Sequence, residues 1–125
     1  MVAMGSDSDQ GQHRPEPTAT DRRILEELRD RILAARGERV WKLIVYGSRE
    51  QGQATPGSDF DLLVVETDPV VPLDEGRRLR MLLEDLPLVV DLRVMGGREF
   101  QETKEVIGGP AYPAHKYGVV LNEVG

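Results

Sequence analysis

Residues 40–66 read VWKLIVYGSREQGQATPGSDFDLLVVE, and they predict two strands of a sheet joined by a polar turn. Residues 40–47 are short, apolar and rich in residues that favour β-structure, which is typical of a buried strand that ends at a glycine. Residues 48–58 are polar and contain glycine and proline breakers, so they predict a turn or a short helix that leads into a loop. The second strand opens with Asp59 and Asp61 on either side of a phenylalanine. Strand alternation places both carboxylates on one side, and their mutual repulsion indicates that a positive group lies between them.

The segments on either side of this stretch predict three helices and two further strands. This order predicts an α/β (α+β) fold, in which a mixed sheet of three to four strands is covered by helices on one side. The sheet is expected to be mixed because strands joined by a short connection need not be parallel. The segments are residues 18–37 and 74–86 (amphipathic helices), 88–95 (a third strand), 97–107 (a weaker helix with Phe100, Thr103 and Ile107 on its buried face) and 118–124 (a short edge strand).

Length and composition restrict the class of protein. A chain of 125 residues is long enough for one domain, and we expect a disordered leader at residues 1–17 before a domain at residues 18–125. The absence of cysteine excludes disulfides, a cysteine nucleophile and thiolate metal sites. The net charge of −6 argues against duplex nucleic acid as the main ligand. No apolar run approaches the roughly 20 residues that cross a membrane, so we expect a cytoplasmic protein.

Three carboxylates stand where neighbouring strands can bring them together. Asp59 and Asp61 open the second strand, and Asp91 lies alone in the apolar third strand. Hard oxygen ligands of this kind suit Mg²⁺ or Mn²⁺, and two such ions can activate an attacking hydroxyl and neutralise a leaving pyrophosphate. Gly47 allows the backbone to approach a phosphate closely, and the amides of Ser48 and its successors could bind that phosphate if a helix begins there.

The stretch GSREQGQATPGSDFDLLVV, residues 47–65, resembles the signature of the nucleotidyltransferase superfamily that includes DNA polymerase β. That signature is Gly-Ser, about ten residues, and then two acidic residues separated by one position. The form of this motif is most similar to the minimal nucleotidyltransferases (MNT-type) of bacteria and archaea. The resemblance is close over residues 40–95 and implies the nucleotidyltransferase fold.

The resemblance also implies a role for each matched residue. Gly47 and Ser48 would hold the terminal phosphates of the nucleotide, while Asp59 and Asp61 would ligate two Mg²⁺ ions. Asp91 would ligate the catalytic ion and help to deprotonate the acceptor hydroxyl. The implied reaction is the transfer of a nucleoside monophosphate, commonly AMP from ATP, to a hydroxyl with release of pyrophosphate.

Only the resemblance to minimal nucleotidyltransferases implies an acceptor and a partner. Similar minimal nucleotidyltransferases form toxin–antitoxin pairs with an all-helical HEPN-type protein and add AMP to a tyrosine of that toxin. A homo-oligomer is another way to complete acceptor recognition. Two alternatives remain open: an antitoxin that neutralises its partner by contact and keeps the site as a relic, and a small-molecule nucleotidyltransferase that acts, for example, on an aminoglycoside.

Several of these residues can also be explained without a catalytic role. An Asp-x-Asp after Gly-Ser is, in an arbitrary protein, most often a capped surface turn, and Asp91 could be a charge that protects an edge strand from aggregation. Arg49 is a candidate phosphate ligand and equally an exposed surface arginine. Trp41 and Phe60 are predicted to be core residues rather than platforms for base stacking, because alternation places Phe60 opposite the aspartates that flank it.

Overall fold

The computed structural model describes residues 19–46 and 60–123, and within these ranges the chain forms four helices and four strands. The predicted leader at residues 1–17 and the predicted turn at residues 48–58 lie outside the described residues. In chain order the elements are α1 (Ala19–Arg36), β1 (Val40–Tyr46), β2 (Phe60–Glu66), α2 (Pro72–Leu83), β3 (Val90–Gly96), α3 (Gly97–Thr103), α4 (Tyr112–Tyr117) and β4 (Val119–Glu123).

The strands form one mixed sheet in the order β3-β2-β1-β4. β1 pairs antiparallel with β2 and with β4, whereas β2 and β3 are parallel and are joined through α2. The prediction of a mixed sheet of three to four strands with helices is therefore confirmed. The last strand lies at an edge of the sheet, as its short segment indicated.

The two long helices cover one face of the sheet. Strand alternation directs Leu43, Leu62 and Leu92 to this face, where they form a core with the apolar stripes of α1 and α2. The members of these stripes that are fully buried are Leu25, Leu28 and Ile32 on α1 and Leu79 on α2.

The opposite face carries a second, smaller core. Ile44, Leu63 and Met95 point to this side and pack against Phe100 of α3 and Ala114 of α4. The expectation of helices on one side thus describes the two long helices, while the two short helices partly cover the other face. The cause lies in the sequence of the strands, because β1 and β2 are apolar on both faces and need cover on both. Trp41, predicted to be a core residue, is partly buried and packs against this second core, where its ring meets that of Phe100 edge to face at 6.3 Å.

Helix α3 is shorter than the predicted segment 97–107. It ends at Thr103, and Ile107, expected on its buried face, is 82% exposed. The chain leaves the helix through a series of tight turns and passes Gly108, whose φ of 89° lies in the left-handed region that favours glycine. Helical periodicity extended the prediction to Ile107, directly before the turn-forming pair Gly108 and Gly109, whereas the turns already begin after Thr103.

The start of α3 is held by a side chain from a distant part of the chain. Asp68 Oδ2 accepts a hydrogen bond of 2.8 Å from the backbone N–H of Arg98, so this carboxylate caps the helix although it is not adjacent in sequence. Gly96 lies directly below it, and a Cβ at this position would collide with Asp68 Oδ1. Glycine is favoured here because any larger residue would force this carboxylate to shift.

A buried acidic pair lies where β2 ends. Glu66 of β2 is fully buried, and Glu75 of α2 is nearly so. Arg36 donates two hydrogen bonds to Glu75, at 2.7 and 3.1 Å, and Arg39 Nε lies 3.4 Å from Glu66 Oε1. Burial, and next the adjacent carboxyl of Glu75, raise the pKa of Glu66 to about 7, against the two arginines. This cluster connects α1, β2 and α2 at the end of the sheet away from the aspartates.

None of the described helices combines the length and the apolar character that crossing a membrane requires.

Candidate active site

Asp61 and Asp91 are direct register partners on the parallel strands β2 and β3. Adjacent strands lie about 4.8 Å apart, and partners in register point to the same face of a sheet. The side chains of the two aspartates therefore stand side by side. Asp61 is buried, with 8% of its surface exposed, and Asp91 is half-buried. The sequence analysis expected these two carboxylates to lie close together if their strands are neighbours, and the strands are neighbours.

Tyr46 extends this pair into a row across three strands. It is the last residue of β1 and pairs with Asp61 in the antiparallel ladder between β1 and β2. Burial, and next the charges of Asp61 and Asp91, raise the pKa of Tyr46 to about 12, while Arg93 opposes the shift. Its phenol therefore stays protonated at neutral pH and is a neutral hydrogen-bonding group next to the two carboxylates.

Strand alternation explains why the aspartates lie on this face. Phe60 and Leu62 flank Asp61 and point to the face covered by the long helices, where both are buried in the core. Their burial holds β2 in one orientation and directs Asp61 to the other face, because a slip of one residue would place the carboxylate in the apolar core. The prediction that Phe60 is a core residue is confirmed.

The remaining predicted site residues lie outside the described residues. Gly47, Ser48 and Arg49 follow Tyr46 directly in the chain, and Asp59 precedes the first residue of β2. Their roles stay predictions.

The donor set fits a divalent cation. Two neighbouring carboxylates on one face supply the hard oxygen donors that Mg²⁺ and Mn²⁺ prefer, and these ions usually bind one or two protein carboxylates. Among residues 19–46 and 60–123 no group of three or more metal-ligating side chains is found, and Asp59, the third predicted carboxylate, is not among them.

Sequence reasoning missed two residues, Tyr46 within this row and Arg93 next to it. Arg93 lies two positions after Asp91 on the same face of β3, and its charge acts on the Tyr46 hydroxyl. Strand alternation could have identified both residues from the sequence. Tyr46 ends the strand that leads into Gly47. Arg93 lies two positions after Asp91, and this spacing places two side chains on the same face of a strand.

Comparisons with known proteins agree with this geometry. The family model described as a nucleotidyltransferase domain matches residues 22–109, more than half of the chain, and this range contains the row formed by Tyr46, Asp61 and Asp91. A search of curated proteins gave no match. The chain belongs to the nucleotidyltransferase domain family, within the superfamily of DNA polymerase β.

Proposed function

We propose that this nucleotidyltransferase transfers AMP from ATP to a hydroxyl of a protein, with a tyrosine of a HEPN-type helical toxin as the acceptor. Nucleotidyl transfer is the activity of the family to which the chain belongs. The observation that supports a working site is the direct pairing of Asp61 with Asp91 on one face of the sheet. Two carboxylates at paired positions on one face are unfavourable for stability and thus favour a role in ligand binding.

Each site residue has a proposed role in this reaction. Asp59 and Asp61 hold two divalent ions, Mg²⁺ or alternatively Mn²⁺, and Asp91 binds one of them. When bound, the ions supply charge neutralisation for the triphosphate and for the attacking oxygen. Gly47 and Ser48, with Arg49 beside them, bind the terminal phosphates of ATP through backbone amides and the cationic side chain.

The covalent step is an in-line displacement at the α-phosphorus. The acceptor oxygen forms a bond to this phosphorus, the bond to the oxygen that bridges the α- and β-phosphates breaks, and pyrophosphate leaves with that electron pair. Asp91 takes the proton of the acceptor hydroxyl as a general base. Positioning and charge neutralisation provide most of the rate enhancement in such a reaction, so the enzyme needs no nucleophile of its own.

A protein acceptor is consistent with the charge of the chain. The net charge of −6 disfavours a polyanionic acceptor such as duplex nucleic acid, whereas it does not oppose docking of a polypeptide. The HEPN-type partner and its tyrosine come from the resemblance of the motif to minimal nucleotidyltransferases.

The test begins with the neighbouring genes: a HEPN-type helical protein encoded there is incubated with the full-length chain, ATP and Mg²⁺ and then examined by mass spectrometry. We expect the mass of AMP to be added to a tyrosine of that protein, and we expect Asp61→Ala and Asp91→Ala to abolish the addition. Arg77→Ala, at an exposed position on α2, is the matched control and is expected to retain it. An unmodified partner would contradict the proposal, and neutralisation of the toxin by the aspartate variants at equimolar ratio would show an antitoxin that acts by binding. Modification of an aminoglycoside alone would instead show a small-molecule enzyme.

A further inference from the structure

The buried pair of Glu66 and Glu75 takes no part in the proposed function, and its geometry fits a bound proton. Among the described residues, no donor forms a hydrogen bond to Oε2 of Glu66, which is buried. The carboxyl of Glu75 lies within hydrogen-bonding reach of Glu66. Two ionised carboxylates only accept hydrogen bonds, so they can bond to each other only when one of them carries a proton. A shared proton therefore replaces a repulsion between the two glutamates with a hydrogen bond.

The charged groups that face the pair indicate that Glu66 carries this proton. Arg36 of α1 donates two hydrogen bonds to Glu75, at 2.7 and 3.1 Å. Burial opposes the ionisation of Glu75, but hydrogen bonds from Glu66 and Arg36, with the charge of Arg78 on α2, lower its pKa. Glu66 is fully buried and has only a long contact of 3.4 Å with Nε of Arg39, which lies between α1 and β1. Glu75 is therefore the ionised partner, and Glu66 is the protonated one.

Arg39 is shared between Glu66 and the chain segment that follows β2, residues 67–69. Its Nη2 donates to the carbonyl oxygens of Thr67, at 3.2 Å, and of Pro69, at 2.6 Å. The backbone N–H of Thr67 in turn donates to the carbonyl oxygen of Arg39 at 2.8 Å. The side chain of Arg39 is 37% exposed, so it can change its position without opening the core. The guanidinium thus attaches segment 67–69 to the fold from the surface.

Segment 67–69 also supports the start of α3. Asp68 lies between the two residues whose carbonyl oxygens Arg39 binds, and its Oδ2 accepts a hydrogen bond from the backbone N–H of Arg98. Helix α3 packs on the face of the sheet that carries the candidate site. Direct contacts therefore connect Glu66, through Arg39 and Asp68, to the first turn of α3.

We propose that Glu66 and Arg39 form a proton-controlled latch, in which loss of the proton from Glu66 draws Arg39 away from segment 67–69 and releases the start of α3. An ionised Glu66 adds a second negative charge to a buried pocket in which Arg36 already pairs with Glu75. Arg39 is the neighbouring cation that can respond. Because its guanidinium is rigid and planar, shortening the contact at Nε moves Nη2 away from the two carbonyl oxygens.

The test is hydrogen–deuterium exchange of the full-length chain, followed amide by amide by NMR and corrected for the intrinsic exchange rate at each pH. Protection of the α3 amides should fall about tenfold or more between about pH 5.5 and pH 7.5, because the proton that holds the latch closed is lost as the pH rises through the raised pKa of Glu66. The amides of β1, which is paired on both sides, report global unfolding and should stay more protected than those of α3 at both pH values.

Three variants assign the effect to the latch. Glu66→Gln cannot ionise, so its α3 amides should keep the same protection at both pH values. Glu26→Gln, at an exposed position on α1, is the matched control and should show the fall of the wild-type chain. Arg39→Lys keeps the charge but lacks the planar set of donors, so α3 should be weakly protected at both pH values.

The contrary outcomes are equally definite. Protection of α3 that does not change with pH in the wild-type chain would overturn the latch, and so would a fall that persists in Glu66→Gln. Exchange of α3 and β1 with the same free energy at both pH values would show global unfolding alone and would also overturn it. If Glu66→Gln does not fold, the comparison of α3 with β1 in the wild-type chain and in Arg39→Lys still decides.

Discussion

Asp61 and Asp91 are neighbours in register on parallel strands, although helix α2 separates them in the chain. Two carboxylates at this spacing repel each other, and a divalent cation between them relieves the repulsion. If the proposed cation binds between them, it should therefore relieve this electrostatic strain.

The first prediction concerns this strain and the stability of the fold. Millimolar Mg²⁺ or Mn²⁺ should raise the melting temperature of the wild-type chain, because a ligand that binds only the folded state stabilises it by mass action. The double variant Asp61→Asn, Asp91→Asn should be at least as stable without the ion and should lose the response. Asp74→Asn, at the exposed start of α2, is the matched control. Differential scanning fluorimetry measures both effects, and an equal response of the double variant would place the cation elsewhere.

The second prediction concerns Asp91 as the proposed general base. Asp91→Asn preserves the shape of the side chain and removes its basicity, so AMP transfer should fall by at least about 100-fold. ATP should still bind, since Asp59 and Asp61 remain. Single-turnover labelling of the acceptor with radioactive ATP measures the first quantity, and calorimetry measures the second. Transfer at a rate close to that of the wild-type chain would exclude Asp91 from the proton transfer.

The third prediction is a pH dependence of stability from Glu66. Its pKa is raised from the ordinary 4.5 to about 7 in the folded state, first by burial and then by Glu75. Between these two pH values the folded chain holds a proton that the unfolded chain releases. The contribution of Glu66 to the free energy of unfolding is therefore complete below pH 4.5 and is lost as the pH rises through 7.

Glu66→Gln should remove this loss of stability at high pH, because the amide side chain is neutral at every pH. Urea unfolding of the wild-type chain should show a smaller free energy of unfolding at pH 8 than at pH 5.5, by roughly 1 kcal/mol or more. The difference should shrink in Glu66→Gln and persist in Glu26→Gln, an exposed position on α1. An identical slope in all three proteins would show that Glu66 does not change its protonation in this range.

The fourth prediction concerns the contact between Gly96 and Asp68. Gly96→Ala should destabilise the fold by about 1 to 3 kcal/mol, because the new methyl group collides with the carboxylate that caps α3. Asp68→Ala alone should lose the cap and roughly 1 kcal/mol. In the double variant the collision is absent, so the two effects should not add. A double-mutant cycle measures the coupling energy, and strict additivity would contradict the contact.

The sequence predicted the parts of this fold that local patterns determine. Helical and strand periodicities located α1, α2 and the four strands, and alternation around Phe60 placed Asp61 opposite the main core. The sequence predicted that Asp61 and Asp91 lie close together if their strands are adjacent. In the structure these two strands pair directly.

The rest depended on contacts between distant segments. The end of α3 at Thr103, the cap that Asp68 supplies and the pairing of Glu66 with Glu75 follow from packing and not from any local pattern. The motif resemblance directed attention to acidic residues, and the cation Arg93 on the same face of β3 was therefore overlooked. The roles of Gly47, Ser48, Arg49 and Asp59 stay predictions.

All seven residues of β2 are buried, and the strand is paired along both of its edges. Local opening cannot expose such a strand without breaking the sheet, so its amides should exchange with solvent mainly through global unfolding. We therefore expect β2, which carries Asp61, to exchange most slowly among the described elements, whereas Asp91 belongs to an edge strand with one open side. Among the described residues, the candidate site therefore joins a strand expected to stay rigid to an edge strand, and we expect adjustment to a bound ligand mainly on the β3 side.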